Sequence, residues 1–264
     1  MVLNNKLIKN ILIVATLVVA VPAAAQTEIW DLDNGVKSSN TNFFDSLTVN
    51  NALNSNSLTI TGWSDTGSGE TIESGQLKYS NTYGLMLKNQ NESDSTPDHS
   101  IDSFNSYFDM VLLSFDEKID LTSFQTGWAI EANNLDRADI SITAFTGMGE
   151  VSLAGNTWDG VASSNDWSTI GEYRDVSDYS YQSINTEVES KYWLVGAYNP
   201  IFVNPGETTG QWASANNDGF KLASVQGVTS INATSVPEPG SLAILSLGLL
   251  GFFSMKKRVV NRYK

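Results

Sequence analysis

Apolar residues in this chain recur with period two, and between residues 26 and 233 no stretch carries the period of an amphipathic helix. "SLTITGW" sets Leu58 and Ile60 against Thr59 and Thr61, and "ADISITAF" sets Ile140 and Ile142 against Ser141 and Thr143. Such alternation puts one face of a strand in a core and the other in water. "DMVLLSF" (Asp109 to Phe115) and "KYWLVGAY" (Lys191 to Tyr198) are apolar on both faces, as central strands covered on both sides would be. "GQLKYS", "YGLMLKN", "EVSLAG" and "GFKLASV" are shorter strand candidates, while "DEKIDLTSF" (Asp116 to Phe124) reads as a loop leading into a strand. Clusters of Gly, Asn, Asp and Ser separate these runs, as turn chemistry demands. The expectation is an all-β body, an antiparallel, jelly-roll-like β-sandwich. Met110 to Phe115, Ile140 to Phe145 and Tyr192 to Ala197 belong in its core sheets.

The two ends read differently from the body. Residues 1–25 place Lys6 and Lys9 before an apolar run from Ile11 to Val21, followed by Ala23-Ala24-Ala25. A charged segment, a short apolar segment and small residues in that order predict a secretory signal peptide cut after Ala25. Residues 234–264 open on Val236-Pro237-Glu238-Pro239 and continue into an apolar run that predicts a short transmembrane helix over about 241–255. A basic tail, 256–264, follows. Its Lys256, Lys257 and Arg258 stop transfer and keep that end on the cytoplasmic side. The order of small residues, apolar stretch and preceding processing site parallels a removable C-terminal anchor signal.

The Val-Pro-Glu-Pro element, Gly240-Ser241, the short Leu/Gly/Ala run and the Lys-Lys-Arg end together resemble the PEP-CTERM sorting signal. The resemblance implies export by a Gram-negative bacterium and processing by an exosortase, with Val236, Pro237, Glu238 and Pro239 as the recognised substrate element. A second resemblance lies in the body. "FDMVLLSFDEKIDLTSFQTGWAIEANNLDRADISITAFTG" (Phe108 to Gly147), "KYWLVGAYNP" and "NNDGFKLASVQG" resemble the exosortase-dependent surface protein family XDP1 over most of Phe104 to Val228. They depart from it around Asn133 to Asp136. This resemblance implies a surface location and a fold, and no chemistry.

Composition excludes several function classes. Of 15 basic and 29 acidic residues, two basic ones lie in the signal segment, and five with one acid lie in the tail. The body therefore carries 8 basic against 28 acidic residues. Such a surface repels nucleic acid and attracts cations. The chain has no cysteine, so thiol catalysis, sulfur-ligated zinc and disulfides are all excluded. Its single histidine, His99, falls in the polar stretch "NQNESDSTPDHSIDS", with no G-x-S-x-G elbow anywhere to support a serine nucleophile.

Three kinds of candidate site remain. Calcium takes oxygen ligands, and the Asp/Asn stretches "ANNLDRAD" and "SANNDGF" offer Asp136, Asp139, Asn217 and Asp218 without an EF-hand spacing. Carboxylate pairs such as Asp136 with Asp139, or Glu131 with Asp136, could be drawn as a glycosidase pair; a solvated loop accounts for them more simply. Of seven tryptophans, Trp63, Trp128 and Trp193 fall in or beside strands and read as core. Trp158, Trp167 and Trp212 lie in polar stretches suited to stacking on sugars, although core or rim packing is the simpler account. The sequence thus predicts an exported, non-catalytic surface or matrix protein. It would be held transiently in the inner membrane by its C-terminal helix, then placed at the cell surface or outside. Its partners would be signal peptidase, the Sec translocon and an exosortase. Binding of an exopolysaccharide is the alternative role and glycoside hydrolysis a weaker one; no cofactor is required.

Overall fold

A computed structural model describes residues 27–33, 43–51, 56–93, 99–131, 134–202 and 216–229. Residues 25–230 form one compact unit. The expected signal peptide, the sorting motif, the C-terminal helix and its basic tail, and Trp212 lie outside the described residues. Among the described residues, no helix is long and apolar enough to cross a membrane.

Twelve antiparallel strands account for most of the described residues: β1 (Thr27–Asp31), β2 (Ser46–Asn50), β3 (Ser57–Ser64), β4 (Glu73–Ser80), β5 (Gly84–Lys88), β6 (Ile101–Asp102), β7 (Asp109–Ile130), β8 (Arg137–Phe145), β9 (Trp167–Ser177), β10 (Tyr181–Ser183), β11 (Glu189–Ala197) and β12 (Gly219–Thr229). They share one hydrogen-bonded sheet in the order β1-β12-β5-β4-β3-β7-β11-β8-β9. Strand β7 also pairs with β12, which closes a ring β3-β4-β5-β12-β7. The body is all-β and antiparallel as the alternation predicts, and it is a closed barrel with further strands added.

Closure depends on the length of β7. Its first half, from Asp109 to Phe115, lies between β3 and β11, with Val111 opposite Gly62 and Val195. Its second half, from Ile119 to Ile130, pairs with β12. At about 3.3 Å per residue, 22 residues would extend roughly 70 Å if straight, far beyond the width of a domain this size. Register shifts opposite β11 at Ser190/Tyr192, and opposite β12 at three points, bend the strand so that both halves serve one barrel. "DEKIDLTSF" therefore belongs to β7 and not to a loop. Ile119 and Leu121 are fully buried and keep the alternation, while Asp116, Glu117 and Lys118 are exposed at the crossing from one set of partners to the other.

The two faces of β7 feed two cores. Val111, Leu113 and Phe115 point into the barrel with Leu58, Ile60, Leu77, Leu85, Trp193, Val195 and Leu222. Met110 and Leu112 point the other way, into a second cluster with Ile72, Leu153, Trp158, Leu194 and Phe202. Each such side chain contributes about 1.5–3 kcal/mol when fully buried. The two-sided apolar runs "DMVLLSF" and "KYWLVGAY" are thus covered on both faces, as their composition predicts.

The second cluster is covered by structure that the period-two pattern does not reveal. Helix α1 (Trp158–Ser163) is six residues long, too short to persist by itself. The side chain of Thr157 caps it by accepting the Gly160 N–H at 3.0 Å, and Trp158 and Val161 lock it onto the sheet. "EVSLAG" is not a strand. Gly155 adopts φ +78, and the Asn156 carbonyl and the Gly155 N–H bond the backbone of Ile72, so Leu153 seals the cluster from a loop.

Between β5 and β12 the ring closes through the Leu85–Leu222 pair. Gly84 precedes it at φ +88, and a Cβ there would lie 2.3 Å from the Leu222 carbonyl oxygen. Gly84→Ala is expected to lower stability by at least ~1 kcal/mol, through both strain and contact. Urea denaturation would read this as a lower midpoint at unchanged slope; an unchanged midpoint would mean that the junction tolerates displacement.

Candidate functional site

Carboxylates gather where strands begin and end. Asp65, just after β3, accepts the Phe108 N–H at 2.7 Å. Asp102 accepts the Phe104 N–H at 3.0 Å and the Ser100 hydroxyl at 2.9 Å. Asp218 accepts the Asp139 N–H at 2.8 Å, Asp139 accepts the Asp175 N–H at 2.7 Å, and Asp178 accepts the Ala129 N–H. Irregular strand ends leave backbone donors without ladder partners, and these side chains supply the acceptors.

The residues expected around a cation are partly brought together. Asp139 and Asp218 meet through the hydrogen bond above. Asn217 adjoins them, with its Oδ1 buried and without a hydrogen bond, as is Asp218 Oδ2. Asp136 is exposed in the turn before β8. Burial pushes the Asp218 carboxyl up from 3.8 to about 8; the bond from Asp139 opposes this, and the charges of Asp139, Glu131 and Asp175 add to it. Glu131 is taken by Arg137, whose guanidinium bonds it at 2.6 Å and reaches Asp175 at 3.0 Å. Of the residues drawn as carboxylate pairs, Asp139 is therefore engaged in strand-end bonding and Glu131 in an ion pair, while Asp136 is exposed.

A different trio forms the tightest acidic group among the described residues. Carboxylate oxygens of Glu92, Asp102 and Asp109 lie within 4.8 Å of one another. Asp102 ends β6, Asp109 starts β7, and Glu92 lies on the turn after β5. Asn89 holds two of them, its amide donating to Glu92 Oε1 at 2.5 Å and to Asp109 Oδ1 at 3.1 Å. Asp102 and Asp109 are fully buried and Glu92 is half-buried. Asp109 Oδ2 makes no hydrogen bond. Ser64, opposite Asp109 in the β3–β7 pairing, favours its charge from close by without reaching standard bonding geometry. Burial drives the Asp109 carboxyl well above its usual range, and the charges of Glu92 and Asp102 push it further. The sequence analysis missed this trio because its members come from three separate runs. The legible signal was an aspartate opening a strand apolar on both faces, where no solvated side remains for it.

The tryptophans also divide. Trp158 is 1% exposed, with its ring against Phe202 and its indole N–H donating to the Phe108 carbonyl at 3.0 Å, so no ring face is free for a sugar. Trp167 is half-buried on β9 and meets Phe145 edge-on at 5.2 Å. It borders a surface groove of about 330 Å³ with Glu150, Asp166 and the exposed Met148. Trp193 is fully buried, while Trp63 and Trp128 are half-buried.

Asp218 carries a pH dependence whose sign is fixed. Its folded value of about 8 lies above the 3.8 of the free carboxyl, so the fold retains a proton that the unfolded chain releases. This contribution to stability is complete below pH 3.8 and is lost as pH rises to about 8. In chelator, the melting temperature of the wild-type protein is expected to fall across that window. Asp218→Asn should flatten the fall, which thermal denaturation at stepped pH would measure; an equal slope in the variant would assign the dependence to other groups.

Residues 235–258 match the PEP-CTERM protein-sorting motif. No curated protein matches the chain. The matched segment contains Val236, Pro237, Glu238 and Pro239, the apolar run and the basic residues Lys256, Lys257 and Arg258. The match does not extend into the body, and a likeness of the body to XDP1 proteins is not shown by it. The chain thus carries, at residues 235–258, the PEP-CTERM sorting signal of exported, exosortase-dependent proteins.

Proposed function

We propose that the protein is a non-catalytic structural or adhesive component of the surface or extracellular matrix of a Gram-negative bacterium. Signal peptidase would remove residues 1–25 after passage through the Sec translocon. The C-terminal segment would then hold the body at the inner membrane until an exosortase cuts near Val236–Pro239. The observation that carries this reading is the sorting motif at 235–258 joined to a body whose strand-end carboxylates are engaged with backbone donors. Hydrolytic carboxylates must instead face each other across a substrate.

A second reading, binding of an exopolysaccharide, is favoured by one feature. Trp167 borders the groove beside Phe145, and Phe145 in turn meets Tyr192 edge-on at 5.9 Å. An aromatic wall beside Glu150 and Asp166 offers both a flat apolar face and hydrogen-bond partners. Retention of the wild-type protein on the producing cell's polysaccharide, lost in Trp167→Ala, would favour it; equal retention of the variant would remove it.

The sorting route is tested on the protein that cells release. Glu238 lies between two prolines, which hold the strip extended and accessible to an enzyme. Glu238→Ala is expected to leave export intact and to block cleavage, so uncut protein should accumulate in membranes. Mass spectrometry of released wild-type protein should find a C-terminal peptide ending before Lys256. A peptide extending through Met255 to Lys264 would make the segment a permanent anchor.

A further inference from the structure

Lys221 is a buried cation without a counterion. It is 5% exposed, yet it forms no ion pair and no hydrogen bond among the described residues. Its Nζ is packed between two rings, 4.6 Å from the Trp128 centroid and 5.1 Å from that of Tyr83. Ring faces offset only part of the cost of taking an ammonium out of water. Burial, with the charge of Lys78 added, lowers the Lys221 ammonium from 10.5 to about 8, and the charge of Asp178 opposes them. Asp178 itself accepts the Ala129 N–H. Lys78 stands opposite Met86 and Leu85 opposite Leu222, so Lys78, Met86 and Lys221 face outward while Leu77, Leu85 and Leu222 fill the barrel. Lys78 and Lys88 each stand 5.1 Å from the ring centroid of Phe43. Three of the body's eight basic residues thus share one outer face of β4, β5 and β12. Beside them Tyr83 is 38% and Tyr179 55% exposed, and the Tyr179 phenol is near enough to Tyr83 to feel its charge.

We propose that this face of β4, β5 and β12 binds an acidic sugar chain, with a uronate carboxylate on Lys221 and Lys78 and sugar rings on Tyr83 and Tyr179. The carboxylate replaces the water that Lys221 loses on burial and relieves its repulsion by Lys78. Exposed aromatic faces add stacking on the sugar rings, which a bare anion cannot use. A second copy of the chain is a poor occupant, because 28 acidic against 8 basic residues make one body repel another. A polysaccharide is thin enough to touch the basic face alone. The proposal rests on the reading of the protein as a polysaccharide binder, and it adds the acidic sugar at a site distinct from the Trp167 groove.

The test uses the full chain purified in detergent, in chelator and at low ionic strength, because salt screens such contacts. Calorimetric titration with oligogalacturonate is expected to show binding, and a neutral gluco-oligosaccharide of equal length should bind about tenfold more weakly or worse. Lys221→Met is expected to weaken oligogalacturonate binding about tenfold. It should melt at or above the wild-type temperature, because it removes an unpaired buried charge. Lys78→Gln, at a half-buried position that does not endanger folding, should weaken binding by a similar factor, while Trp167→Ala should bind as the wild type does. No binding of oligogalacturonate, equal binding of the neutral sugar, or full binding by either lysine variant would overturn the proposal. Loss of binding in Trp167→Ala alone would overturn it and leave the groove as the sugar site. Displacement of the sugar by inorganic phosphate at equal concentration would reduce the face to a bare anion site and overturn it as well.

Discussion

Every other element of the body takes its place from β7. A buried backbone must find a partner for each N–H and C=O. A strand of 22 residues can meet that demand only if several others line both of its edges. Strands β3, β11, β12 and β10 do so in turn, and where one partner gives way to the next the register shifts. The shifts bend β7, and the bend lets β12 meet both β7 and β5, so that the sheet returns upon itself. The same strand divides the core: alternate side chains of one run reach the barrel interior and the layer beneath α1.

Barrel closure satisfies the middle of the strands and leaves their ends irregular, and there the acidity of the body acquires a structural role. Asp65, Asp102, Asp139, Asp178 and Asp218 each accept a backbone N–H that no neighbouring strand takes up. A charged acceptor makes a stronger bond than a neutral one. Burial works against that charge, lifting Asp65 to about 6 and Asp218 to about 8, so that Asp218 keeps its proton at neutral pH. The negative charge is therefore more than a solubilising coat, since part of it is folded into the rim of the barrel. There its protonation decides how strongly it stabilises.

How much of this the sequence reveals follows from the range of the interactions. Alternation is local, so β3, β4, β5, β8, β11 and β12 are legible in "SLTITGW", "GQLKYS", "YGLMLKN", "ADISITAF", "KYWLVGAY" and "GFKLASV". Continuity of β7 through Asp116, Glu117 and Lys118 is not, because three exposed charges look like a loop unless the change of pairing partner is known. Closure into a barrel is likewise invisible, resting on contacts such as Leu85 with Leu222, far apart in the chain. Helix α1 forms because Trp158 and Val161 find a sheet to pack on, and its six residues carry no periodic signal of their own. Asp139 and Asp218 could be suspected from composition, but their junction depends on β12 running beside β6 and β7. Glu92, Asp102 and Asp109 converge only once the barrel is closed.

Wherever copies of a β protein stand crowded side by side, the edges of their sheets can meet. Exposed strand edges in such a crowd would pair from one molecule to the next. Closing β3, β4, β5, β12 and β7 into a ring uses up the edges of the five strands that carry most of the apolar interior. A chain without cysteine has no disulfide with which to staple that ring from outside. Its stability comes instead from continuous pairing along β7 and from carboxylates bonded to the backbone at the rim. Both depend on the chain having already collapsed into one barrel. In the five ring strands, the polar groups that would otherwise recruit a neighbour are thus committed inside the molecule, while β1, β2 and β9 each pair with one strand among the described residues.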